Sequence, residues 1–194
     1  MNALPTITIP EAFTGLFAAW RLFLRDERAV SLFDGTPEGA LKSFYCALIV
    51  LPGYALVVAF AHTVALTEID WFRFVVVEAI AYVVSWCAWP LLMFYAARAL
   101  DRSASYCLYV AAYNWGSGPQ ILVLLLVLFV AISGFVSREV VTIVNLVAIV
   151  IILLYHLFIV RVTLKLSFFV ALGLVLSEAM VSQLVIHARN IMLR

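Results

Sequence analysis

Charge is what this sequence has least of. Only 12% of its 194 residues are Asp, Glu, Lys or Arg, and the two signs nearly cancel to a formal net charge of +1. A soluble domain carries about 25% charged and about 45–50% apolar residues. Here 66% are hydrophobic and the mean hydropathy is +1.14. The deficit and the excess together exclude a soluble enzyme and a disordered tail, and the absence of a basic excess excludes a nucleic-acid module. Cysteine is scarce as well. Cys46, Cys87 and Cys107 lie in apolar runs at spacings that fit neither a zinc site nor a redox pair, and read as small apolar fillers. The motifs of soluble chemistry are missing too: no Walker A loop, no GxGxxG after a strand, no HExxH and no GxSxG. No catalytic activity, metal or cofactor is therefore expected. The first ~40 residues scatter charges among apolar positions, which argues against a cleavable signal peptide.

What is abundant is apolar sequence in long runs. A bilayer core needs roughly 20 apolar residues of helix, and five stretches qualify: 43–65, 72–97, 106–134, 140–160 and 166–188. The expected fold is an all-α, polytopic membrane bundle of five transmembrane helices. Residues 1–42 form an N-terminal cytoplasmic or interfacial segment, 43–188 the bundle, and 189–194 a short tail. The last two spans are joined by so few residues that they must form a tight hairpin. Lys and Arg set the orientation. Arg21, Arg25, Arg28, Lys42, Arg98, Arg102, Arg161 and Lys165 fall on one side, against Arg73, Arg138, Arg189 and Arg194 on the other. The bias puts the N-terminus in the cytoplasm and the C-terminus outside, in the inner membrane if the source is bacterial.

Residues 10–33 have a different character. Phe13, Leu16, Phe17, Trp20 and Leu24 recur at the spacing of one helical face, while Arg21, Arg25, Asp26 and Arg28 occupy others. Such an amphipathic helix either lies in the cytoplasmic headgroup layer or packs on the bundle.

A few polar residues do not belong in lipid. An Asp or Glu at the membrane centre costs ~2.5–3.5 kcal/mol on insertion scales, so each invites a functional hypothesis. Glu78 in the second span and Glu178 in the fifth qualify, and Asn145 in the fourth falls with them in the outer half. A shared polar cluster with Arg73 neutralising Glu78 is one reading, and would provide a proton or cation path. The plainer one is hydrogen bonding between helices. Thr142, Asn145 and His156 on the fourth span, and Gly173 with Ser177 on the fifth, look like packing faces for the hairpin or for a partner subunit. The run Asn114-Trp115-Gly116-Ser117-Gly118-Pro119-Gln120 interrupts the third span; it reads as a structural kink, or as a broken helix beside a cavity. His62 and His187 map to one side, where a haem between them is the sharp reading and contact with headgroups the plain one.

The layout resembles the Yip1-type five-span membrane protein family, whose bacterial members it is most similar to. Trp20-Arg21-Leu22-Phe23 before the first span, and Ala111-Ala112-Tyr113 leading to Pro119 in the third, carry the resemblance. The Trp-Gly-Ser-Gly stretch before Pro119 departs from the family pattern, and the DLYGP motif of eukaryotic members is missing. The resemblance implies a non-enzymatic integral membrane protein. The leading expectation is a non-catalytic accessory or membrane-organising protein that acts through membrane lipids, other membrane protein subunits or self-association, without nucleic acid. The alternative is a small proton or cation transporter or channel subunit that uses Glu78 and Glu178.

Overall fold

Residues 5–61 and 70–193 are described in the computed structural model of the chain, and every regular element among them is helical. Seven α-helices follow one another: α1 Ile9–Phe23, α2 Pro37–Ser43, α3 Tyr45–Ala61, α4 Trp71–Ala99, α5 Tyr106–Ile132, α6 Arg138–Leu164 and α7 Phe168–Met192. Because α2 leads into α3, five stretches are long and apolar enough to cross a membrane: Pro37–Ala61, Trp71–Ala99, Ser103–Ile132, Arg138–Leu164 and Phe168–Met192. The chain is a multi-pass membrane helix bundle. The first span starts earlier than the sequence suggested, because Thr36 caps α2 by accepting the Gly39 N–H at 3.1 Å. Residues 62–65 of the expected first span lie outside the described residues.

The helices close on one another in the order α3, α5, α6, α7, α4. The seam from α4 back to α3 is bridged by the Tyr82 hydroxyl, which donates to the Ala47 carbonyl at 2.6 Å. The best-buried large side chains, among them Leu22, Met93, Tyr109, Tyr155, Ile159 and Leu164, gather towards the end that holds the N-terminal segment and the α4–α5 and α6–α7 loops. Towards the opposite end, among the described residues, Val58, Phe74, Val77 and Leu193 form a small apolar cluster.

No break interrupts α5, which is continuous from Tyr106 to Ile132. The broken-helix alternative to a kink therefore does not hold: residues 114–118 form a docking face, while Gln120 does lie on a cavity wall. Pro119 has no N–H, which frees the Trp115 carbonyl one turn earlier, and the Cys46 thiol lies 4.0 Å from that oxygen. The glycines serve close approach. A Cβ on Gly118 would stand 2.7 Å from Leu16 Cδ2 of α1, and one on Gly116 3.0 Å from Ile159 Cδ1 of α6. Asn114, fully buried, donates from Nδ2 to Ser43 Oγ at 2.8 Å and so holds α2. Residues 114–118 thus bind α1, α2 and α6 to α5.

Helix α1 starts with a capping box. Thr8 Oγ1 accepts from the Glu11 N–H, and Glu11 Oε2 accepts from the Thr8 N–H at 2.7 Å. Lys42 then ties Glu11 to α2 at 2.8 Å. The helix ends at Phe23 rather than running to residue 33, because Arg25 turns left-handed at φ 68° and Glu27–Leu32 tightens into a 3₁₀ turn. Its buried face is the small one, Gly15, Ala18, Ala19 and Leu22, set against α5. Phe13, Phe17 and Trp20 stay 71%, 57% and 44% exposed. The helix packs on the bundle by this face and leaves its aromatic stripe exposed. Arg21 pairs with Asp26, and Arg25 donates to the Leu154 carbonyl at 3.0 Å while lying over the Phe158 ring.

Candidate functional site: a polar cavity inside the bundle

Within the bundle a group of buried polar side chains adjoins a cavity whose wall is otherwise largely apolar. Glu178 sits about ten residues into α7, or ~15 Å from its start. It is 5% exposed. Its Oε1 accepts a hydrogen bond from the Tyr113 hydroxyl of α5 at 2.9 Å and faces His156 Nδ1 of α6 at 2.8 Å. The other face of that imidazole, Nε2, is 3.3 Å from Gln120 Oε1. Glu178 Oε2 is buried and has no hydrogen-bond partner. Leaving a buried acceptor unsatisfied costs about 1–3 kcal/mol, so this oxygen is the most expensive polar atom in the cluster.

The cluster forms one wall of a partly enclosed cavity of about 390 Å³, within the usual range of ligand sites. All five spans contribute. Tyr54 comes from α3, Tyr82 and Trp86 from α4, Ser117 and Gln120 from α5, Ile149 and Ile152 from α6, and Ser182 and Gln183 from α7. The aromatic rings form a file along one wall, with Tyr54 and Tyr82 centroids 4.7 Å apart and Tyr82 and Trp86 6.1 Å apart. Among the described residues, no Lys or Arg lines the cavity.

The second carboxylate belongs to a separate group. Glu78 Oε2 accepts from the Tyr54 hydroxyl at 3.0 Å, and Oε1 faces Arg189 Nη1 of α7 at 3.5 Å. The single cluster expected from the sequence is thus corrected to two, both anchored on α7. Arg73 does not neutralise Glu78. Its Nε donates to the Met192 carbonyl at 2.9 Å, where a cation suits the C-terminal end of α7. Asn145 joins neither group and is exposed, because α6 has no buried residue before Ala148 and stands off from the bundle there. Gly173 and Ser177 face outward: a Cβ on Gly173 would meet nothing within 4 Å.

His156 and Arg189 are the partners that the sequence reading left out of the polar group. Their signal was present, since His156 and Glu178 lie at similar distances on either side of the α6–α7 loop. His62 lies outside the described residues, and His187 is exposed near the end of α7. Among the described residues no three His, Cys, Asp or Glu side chains gather as a metal site. No protein-family model, curated protein or solved structure matches this chain.

Proposed function

We propose that this non-catalytic membrane protein works by taking a proton or small cation into the mid-bundle cavity, with Glu178 as the charge that receives it. The observation that carries this reading is the buried, unpartnered Glu178 Oε2 beside about 390 Å³ of space. Intramembrane carboxylates that face a cavity are the usual markers of proton and cation paths. His156 gives the site a second protonation partner at 2.8 Å. The predicted orientation, N-terminus in the cytoplasm, places the well-packed end of the bundle on the cytoplasmic side. The Yip1-type resemblance adds the expectation of a non-enzymatic five-span protein. Purified protein in liposomes tests the reading. Wild type should carry protons or monovalent cations above empty vesicles, and Glu178→Gln should abolish that flux. Wild-type flux equal to that of empty vesicles would end it.

A second reading, action through lipids, draws on a different observation: the exposed Phe13, Phe17 and Trp20 stripe of α1 beside a cation-rich end. In this reading α1 rests in the headgroup layer, its aromatic face towards acyl chains. In variants that each keep a single tryptophan, brominated phospholipids should then quench Trp20 more than buried Trp115. Equal quenching of the two indoles would remove it. Association with partner subunits or with a second copy remains open to the same preparation, through its mass in mild detergent.

A further inference from the structure

The cavity wall also specifies the kind of cation. We infer that it takes a small organic ammonium ion, held by the Tyr54, Tyr82 and Trp86 rings with Glu178 as counter-charge. This rests on the reading that the cavity binds a cation.

Three features narrow the chemistry. An anion is excluded by the wall, which carries a carboxylate and no Lys or Arg; the nearby Arg189 is engaged with Glu78. A hard inorganic cation wants six or more oxygen ligands, whereas the cavity wall offers one carboxylate, a few serine and glutamine oxygens and a larger share of aromatic and aliphatic surface. The Tyr54 hydroxyl donates to Glu78 and the Tyr82 hydroxyl to the Ala47 carbonyl, which pins both rings and fixes the aromatic surface they offer. Aromatic ring surface with a nearby carboxylate is the chemistry that recognises alkylammonium groups, through attraction of the cation to the ring quadrupole.

The test is a titration of the purified full chain with tetraethylammonium, sodium and a neutral alcohol of similar size, read by calorimetry. Tetraethylammonium should bind, and the other two probes should not. Glu178→Gln should weaken binding at least tenfold. Trp86→Leu should weaken it several-fold, while Trp86→Phe, which keeps a ring face, stays near wild type and covers the case in which Glu178→Gln fails to fold. Equal binding by the neutral alcohol, or by Trp86→Leu and Trp86→Phe alike, would overturn the inference. Absent tetraethylammonium binding beside a Glu178-dependent proton or sodium flux would overturn it too, leaving the broader cation reading intact. Absence of both would end both.

Discussion

Removing His156 should cost this protein more than its size suggests, and the cost should vanish when Glu178 is neutralised first. In the folded bundle His156 Nδ1 and the Tyr113 hydroxyl both serve Glu178 Oε1, at 2.8 and 2.9 Å. The His156→Leu variant leaves a carboxylate that is 5% exposed with Tyr113 as its one remaining donor. Stripping one partner from a buried charged pair costs about 3–5 kcal/mol. For a chain of this length each kcal/mol is worth about 2–4 °C in Tm, so a fall of at least about 6 °C is expected. Glu178→Gln keeps an acceptor for both donors and should cost about 1 kcal/mol. In the double variant no charge is left to strand, and the His156→Leu step should fall to about 1 kcal/mol. The difference is a coupling of about 2 kcal/mol or more, measured as thermal unfolding of the four proteins in one detergent at pH 7. Neutral hydrogen bonds between membrane helices average about 0.6 kcal/mol and reach about 1.7, so a larger value identifies a charged pair. Additivity within about 0.5 kcal/mol would refute the reasoning.

Two further outcomes follow from the packing and the N-terminal cap. Gly15→Ala drives a Cβ into the Trp115 indole, which is 5% exposed and cannot swing aside; a loss of about 1–3 kcal/mol is expected. Gly173→Ala, with nothing within 4 Å, should instead stabilise by about 0.5–1 kcal/mol; if thermal unfolding ranked the two variants the other way, the helix contacts would be wrong. The Lys42 ammonium and the Thr8 backbone hold the Glu11 carboxyl down at about 2 from an ordinary value of 4.5. A lowered folded-state value means that the tie stabilises α1 fully above about pH 4.5 and is lost as pH falls towards 2. Amide exchange at the start of α1, corrected for intrinsic rates, should stay slow at pH 5 and quicken near pH 2.5. Loosening already at pH 6 would contradict the assignment.

The spans were legible because lipid demands long apolar helices whatever their neighbours, and five appear at the positions the runs marked. The site was half legible. Glu178 stood out because a carboxylate has no business in an apolar run. Its partner did not, because depth was counted from span ends that lay several residues off. With α7 running from Phe168 to Met192, Glu178 is about ten residues from the α6–α7 loop and His156 about eight, so the two are level. Tyr54, Tyr82 and Trp86 look like ordinary membrane aromatics in sequence; only the closing of α4 on α3 makes them one wall. The run around Gly116 and Gly118 misled for a related reason. Glycines and a proline loosen a helix on its own, yet here they are the spots where three neighbours press in.

The most direct test of the cation cavity is whether a cation reaches it. Replace the native cysteines and place single thiols at Ser182, on the cavity wall, and at Ser177, on the outer face of α7. The two sites lie within about 8 Å of each other along the helix axis, so depth alone does not separate them. The structure predicts that a trimethylammonium thiosulfonate labels Ser182→Cys, that tetraethylammonium slows this labelling, and that Ser177→Cys in liposomes stays unlabelled. An unreactive Ser182→Cys, or equal reactivity at both positions, would contradict it.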